Sequence, residues 1–373
     1  MTVAALLSRT GSHEVTVLEQ AAGYAAAGYG LGLYPLGGAV FNALGKSADL
    51  ADKSVELKHY SIHGPDGKTL QSVDLDALLR PFGPMRGISR SAVIDILASC
   101  VPAGVIQFGV RAQSVEVDAD DTVTVHTATG DTLPADVVIA ADGMHSALRH
   151  SLFGDLKPHD TGFDAWMWWA PPGDIDPEQV SEYWGPSAFV GLYPIKDAVN
   201  VAVAVPRDRS PDPSAQPEQI LAHLHDHVAK ENPSAGSLTG IWEVGANPPF
   251  LWRLEDVRAP AITTLSDRVA LLGDAGIGFL PTAGVGASNA LRSAAALAYD
   301  VSLSDAASAP VAVRRWKQRV EKLVQANQHA SRELAKVMLV KHASSSAVVN
   351  TIMRHAPVTA LTSSIVKSME VPF

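Results

Sequence analysis

The chain predicts an α/β fold that carries an α+β insert and ends in helices. Three features of the 373 residues point there. Two apolar runs, one opening the stretch Asp136–Arg149 and the other Val269–Leu272, each break at an Asp/Gly pair, Asp142-Gly143 and Gly273-Asp274, and then enter a helical pattern. Short apolar runs closed by such turns are the mark of buried strands in an α/β layer. Between the two runs lie segments rich in β-branched and aromatic residues, including Phe163–Ala170, Ala188–Tyr193 and Val199–Val205, which read as a second sheet. From Val311 to Lys341 the apolar spacing turns helical, and Ala347–Phe373 is again helical and rather apolar.

Composition narrows the function. Hydrophobic content of 47% with 18% charged residues describes a folded globular chain. A net charge of −10, with no cluster of Lys and Arg, argues against a nucleic-acid partner. No uncharged apolar stretch reaches membrane-spanning length, and the N-terminus has no signal-peptide pattern. The single Cys100 excludes an intrachain disulfide and suits a reducing cytoplasm. His223, His225 and His227 alternate on a predicted helix, where such residues diverge, so a solvated polar stretch is expected and no metal site. No G-x-S-x-G elbow is present to suggest a hydrolase.

The stretch Val269–Ala298 organises the chain. A strand stops at Gly273-Asp274, and a loop with Gly276, Gly278, Pro281, Gly284 and Gly286 leads to an Ala/Leu-rich helix from Ala287. Backbone N–H groups in such a loop and helix start can meet an anion or a polar ring edge. Taken alone, the stretch is equally an ordinary strand-to-helix connection that contains glycine.

The second stretch, Asp136–Arg149, breaks the tie. Together the two resemble the paired Asp-Gly and Gly-Asp signatures of the flavin-dependent aromatic hydroxylases, the p-hydroxybenzoate hydroxylase-like class A flavoprotein monooxygenases. The resemblance implies a Rossmann-like FAD-binding domain with an inserted mixed-sheet substrate domain and C-terminal helices. It implies FAD as cofactor and NAD(P)H as electron donor. The reaction would hydroxylate a small aromatic or polycyclic substrate with O2, through a flavin C4a-hydroperoxide. Alternative readings are a flavin dehydrogenase or reductase on the same fold, and a truncated, catalytically silent flavoprotein-like binding protein. A monomer or homodimer is expected, with no nucleic acid or membrane partner.

Taken in order, Thr2–Arg9 predicts a helix and Glu14–Glu19 a strand. Glu19 ends that strand, where a carboxylate can bind a ribose diol; VTVLEQ matches the family's second strand. The family places a strand and a G-x-G-x-x-G turn ahead of the first helix, whereas this sequence starts inside that helix. Either a misassigned start codon or a truncated relative is expected. Gly28, Gly30 and Gly32 in Gly23–Leu44 are expected to let the backbone pass close to the cofactor. Leu57–Leu75 reads as a hairpin, and Arg90 opens a helix where the family commonly has an Arg against FAD. Val105–Val117 and Thr122–Thr127 are strands around an acidic turn, Asp118–Asp121; backbone near Ala112 corresponds to the adenine end. Trp166, Trp168, Trp184 and Tyr193 are candidates for a pocket wall, with at least one facing it. Pro217–Ala229 is a helix, and Gly240–Arg253 carries the last strand of the second sheet.

The resemblance implies cofactor-binding roles for Glu19, Arg90, Ala112, Asp142, Gly143, Gly273, Asp274, Pro281, Gly284 and Gly286, with no catalytic side chain and no metal. Ile277 stands where the family has His, and Arg292-Ser293 where an acidic residue is usual. The expected division is a FAD-binding part at 1–56, 81–155 and 261–310. A substrate-domain hairpin at 57–80, its sheet at 156–260 and C-terminal helices at 311–373 complete it.

Overall fold

The computed structural model describes residues 1–24, 28–118, 122–245, 247–257, 266–357, 366–367 and 369–370. Positions 25–27 of the Gly23–Leu44 segment, 119–121 of the acidic turn, 246 of the Gly240–Arg253 stretch, the 260/261 boundary and most of the chain after 357 lie outside the described residues.

A seven-stranded sheet forms the larger wall of the molecule. Its order is Phe250–Asp256, His159–Ala170, Ala198–Pro206, Ala188–Ile195, Gln179–Gly185, His59–His63 and Thr69–Asp74. Neighbours are antiparallel except Gln179–Gly185 against His59–His63, so the 59–74 hairpin joins the same sheet as the 159–256 strands. Alternation sorts the two faces. Val199, Val201, Val203 and Val205 meet Ile220, Leu221, Leu224 and Val228 of the helix Pro217–Glu231. Phe163, Met167, Phe189, Ala202, Ala204, Trp184 and Leu254 occupy the opposite face.

The parallel strands come in two pairs. Val17–Glu19 pairs with Ile106–Phe108, and Val138–Ala140 with Val269–Leu271. Among the described residues no strand pairs with the other edge of either. The first strand is shorter than the expected Glu14–Glu19 because its partner offers only three ladder residues. The strand expected over Gly240–Arg253 begins only at Phe250, since Pro248 and Pro249 have no N–H to give a ladder.

A helical layer backs these pairs. The helix Gly286–Ser302 lies between Thr2–Ser8 and the long helix Ala309–Met338. Val3, Leu7, Leu297, Val301, Val313, Trp316 and Val320 fill the space between them. In the long helix Ala309, Ala312, Val313, Trp316, Val320 and Val324 follow the helical period. The stripe then turns polar at Asn327, Gln328 and Ser331, all buried, before Ala335 and Met338 resume it against the sheet.

Two sequence expectations change. Gly30 and Gly32 do not open the backbone toward a ligand. A Cβ at Gly30 would stand 2.9 Å from Asn200 Cβ, and one at Gly32 would stand 3.0 Å from Met85 Cε. Gly28 likewise abuts Asn247. Gly30 lets the strand Gly30–Leu33 lie against the large sheet, where its N–H donates to Asn200 Oδ1 at 2.9 Å. The three histidines are not merely solvated either. His223, His225 and His227 each bring Nε2 to 3.0 Å of a backbone oxygen, of Arg209, Gly236 and Ser187 respectively. The described residues contain no cluster of His, Cys, Asp or Glu fit for a metal, and no helix among them is long and apolar enough to cross a membrane.

Candidate functional site

Parallel pairing of Val138–Ala140 with Val269–Leu271 sets Ala140 level with Leu271. Both chains therefore turn at the same end, and Asp142-Gly143 emerges beside Gly273-Asp274. The carboxyl ends of parallel strands are where open α/β sheets bind ligands. Glu19 and Ala112 share the corresponding end of the other pair: Glu19 O accepts from Val110 N–H at 3.0 Å, and Glu19 Oε1 from Ala21 N–H at 2.8 Å.

The two signatures behave differently. Asp142 is already engaged: Oδ1 accepts from Ser146 Oγ at 2.5 Å and Oδ2 from Leu148 N–H at 3.1 Å. It braces the start of the helix Ala147–Phe153. Gly143 takes φ +83°, and no atom lies within 4 Å of where a Cβ would be, so its backbone faces open space. Asp274 keeps an accessible side chain. The surrounding walls desolvate it and raise its pKa, and an N–H from Phe279 opposes the shift.

The loop beyond Asp274 is held open from behind. Gly284 adopts φ +63° at the end of the Pro281–Ala283 turn, a left-handed conformation costly for any residue with a Cβ. The helix Gly286–Ser302 follows with no side-chain cap, which leaves its first N–H groups turned to the cleft. At Gly286 a Cβ would meet only Phe279 Cβ at 3.6 Å, an ordinary contact. Ile277 is buried in the core, where it lines a small cavity together with Gly273, Asp274 and Gly286.

Arg90 and Asp274, 184 positions apart in the sequence, both act on Tyr29, Arg90 at its ring and Asp274 through its charge. The Arg90 guanidinium lies 5.7 Å from the Tyr29 ring centre. Burial raises the Tyr29 pKa, with Arg90 opposing the shift and Asp274 adding to it. Tyr29 also packs on Phe250 and Trp252, with ring centres at 5.8 and 5.2 Å. The cleft thus has a polar glycine loop on one side and an aromatic wall of the large sheet on the other. Of the pocket candidates only Tyr193 keeps exposed surface. Trp166 and Trp168 face the helix Pro217–Glu231, with Nε1 bound to Ser210 Oγ at 3.0 Å and Ile241 O at 2.7 Å, and Trp184 is buried.

Several residues that shape the cleft escaped the sequence reading. Arg149 is buried and donates to Ala275 O at 2.9 Å, Asp274 O at 3.4 Å and Met144 O at 2.6 Å, tying one signature to the other. Two of the three buried polar residues of the long helix anchor the loop, while Asn327 donates to Asn289 Oδ1 of the neighbouring helix. Gln328 Nε2 donates to Gly278 O at 2.6 Å and Val257 O at 2.8 Å, and Ser331 Oγ to Leu280 O at 2.7 Å. The break in that helix's apolar stripe was the available signal. Gln328→Leu leaves Val257 O without a donor and Gly278 O with only the Val257 N–H at 3.3 Å, so a loss of about 2 kcal/mol is expected, read as a lower denaturant midpoint. An unchanged midpoint would show that the loop holds itself.

Residues 1–307 match the family model for the FAD binding domain. The chain belongs to that family. A 3-amino-4-hydroxybenzoate 2-monooxygenase of Streptomyces cremeus is 32% identical over 305 residues, covering 78% of this chain and 73% of that one. A 6-hydroxynicotinate 3-monooxygenase of Bordetella bronchiseptica is 27% identical over 305 residues, covering 79% and 78%. The crystal structure of Klebsiella pneumoniae HpxO complexed with FAD and uric acid superposes with a TM-score of 0.83 at 20% identity, over 99% of this chain and 93% of that one. The protein is thus an FAD-dependent oxidoreductase.

The cleft fits a flavin. An accessible carboxylate at Asp274 suits hydroxyl donors, the uncapped start of Gly286–Ser302 suits a carbonyl-rich ring edge, and open backbone at Gly143 and Gly284 leaves room for a flat group.

Proposed function

We propose that this FAD-dependent oxidoreductase is an NAD(P)H-using monooxygenase that hydroxylates a small aromatic or polycyclic compound with O2. The observation that carries the reading is the pair of Asp/Gly turns brought side by side by the parallel strands Val138–Ala140 and Val269–Leu271, together with the aromatic group Tyr29, Phe250 and Trp252 on which Arg90 lies. FAD, when bound, supplies the electron and oxygen chemistry. The chain's own residues hold and enclose it. Asp274 would accept hydrogen bonds from hydroxyls of the ribityl chain, and Glu19 from those of the adenosine ribose, beside Ala112. Arg90, Asp142, Gly143, Gly273, Pro281, Gly284 and Gly286 shape and polarise the bed. The aromatic wall excludes water and stacks on a flat substrate. The monooxygenase activities named for the Streptomyces and Bordetella relatives support the reaction type.

The test is to load the protein with FAD, supply NADH or NADPH, and screen aromatic compounds under 18O2. Substrate-stimulated consumption of the reductant and one heavy oxygen atom in the product are expected. A product oxidised without heavy oxygen would replace this reading with a dehydrogenase. Failure to retain FAD after desalting would sink it altogether.

A further inference from the structure

The face of the large sheet that turns toward the cleft holds a buried carboxylate that the reading above leaves without a role. Strand Ala188–Ile195 places Phe189, Gly191 and Tyr193 on this face. A Cβ at Gly191 would fall 2.5 Å from Tyr193 Cε2 and 2.6 Å from its Oη, so the glycine lets the ring lie back along its own strand. The antiparallel register pairs Gly191 with Glu182, and the parallel register pairs Glu182 with Ile62, two positions from Tyr60. Three donors converge as a result. Tyr193 Oη donates to Glu182 Oε1 at 2.7 Å, Tyr60 Oη to Oε2 at 2.7 Å, and Trp184 Nε1 to Oε2 at 2.9 Å.

Glu182 is only 4% exposed, and no cation pairs with it among the described residues. Both tyrosines keep part of their surface. Beside them stands Tyr34, whose hydroxyl reaches Ala283 O in the Pro281–Ala283 turn at 3.4 Å. This group therefore borders the cleft next to the glycine loop.

We propose that Glu182 sets substrate specificity: by drawing the hydroxyl protons of Tyr60 and Tyr193 to itself, it leaves a wall of acceptors that selects an aromatic substrate presenting a hydroxyl, amino or ring N–H group and rejects one presenting a carboxylate there. The inference rests on the reading of the cleft as an aromatic-substrate site. A phenol has one hydroxyl proton; once it is engaged in the hydrogen bond to Glu182, only lone pairs remain for the substrate. A donor on the substrate satisfies those lone pairs. A carboxylate would meet them with like charge behind, and a buried unpaired charge is expensive. Burial and the neighbouring carboxylate raise both tyrosine pKa values, so both remain phenols at neutral pH. Burial raises the Glu182 pKa while the three donors pull it back.

Three naphthalene probes isolate the polar group on a constant ring: 1-naphthol, 1-naphthylamine and 1-naphthoate, titrated calorimetrically into the FAD-loaded protein near neutral pH. The naphthol and the amine should bind at least about tenfold tighter than the naphthoate. In Glu182→Gln the amide NH2 must donate to one tyrosine, which turns that tyrosine's proton outward, and the ratio should narrow to about threefold or less. Tyr193→Phe should weaken naphthol binding and narrow the ratio too, and thermal unfolding checks that each variant folds. Equal binding of naphthol and naphthoate to the wild type overturns the proposal. So does an unchanged ratio in a folded Glu182→Gln protein, or no binding by any of the three. The outcome is separable from that of the oxygenation screen. A binding preference without oxygenated product would leave this inference standing and remove the monooxygenase reading. Efficient hydroxylation of naphthoate with no such preference would do the reverse.

Discussion

Arg149→Ala should cost about 3 kcal/mol of stability and abolish FAD retention through desalting. Arg149 sits in the helix Ala147–Phe153 yet is only 4% exposed, because its guanidinium turns inward across the ends of two strands. It donates to Met144 O beside the first Asp/Gly pair and to Asp274 O and Ala275 O beside the second. Burial lowers its pKa from the ordinary arginine value, and the nearby Asp142 carboxylate counters that. Removing the side chain leaves the buried Ala275 O without its donor, weakens the hold on Met144 O and Asp274 O, and releases both loops together. Arg149→Lys should recover only part of the loss, since one ammonium cannot span carbonyls that the planar fork reaches. Denaturant midpoints and the flavin absorbance of desalted protein read both effects. A wild-type midpoint in Arg149→Ala would show that the loops are fixed by the strand pair alone.

That residue also marks where sequence reading stops. The strands of the large sheet were legible because alternation of valine with small or polar residues, as in Ala198–Pro206, states both strand and face. Both Asp/Gly turns were legible because apolar runs end there. What the local pattern could not state is which loops meet. The Arg90 contact on Tyr29, and the Glu182 cluster joining Tyr60 to Tyr193, are products of register between strands far apart in sequence. The same limit misdirected the reading of Gly30 and Gly32. A glycine required by close approach looks identical in sequence whether the neighbour is a ligand or a strand such as Ala198–Pro206. Aromatic candidates followed the same logic. Trp166 and Trp168 are large and apolar, but their strand parity sends them to the helix-covered face.

Asp274→Ala should weaken FAD binding about 10- to 100-fold, the worth of a hydrogen bond to a charged acceptor at about 1.5–3 kcal/mol. The pH dependence discriminates a bound carboxylate from a bystander. The cleft walls raise the Asp274 pKa, so the folded protein holds this proton to higher pH than the unfolded chain does. Its contribution to the stability of the FAD-free protein is therefore full below the ordinary carboxylate pKa. That contribution fades as pH rises through the raised value. FAD binding should run the opposite way across the same window. Hydroxyl donors favour the ionised carboxylate, so affinity increases as Asp274 loses its proton. Asp274→Asn removes the titration, and both slopes should flatten together while affinity falls between the wild type and Asp274→Ala. Unfolding curves and FAD titrations at a series of mildly acidic pH values measure the two slopes. Parallel slopes in wild type and Asp274→Asn would mean that another group titrates there and that Asp274 does not receive the ribityl hydroxyls.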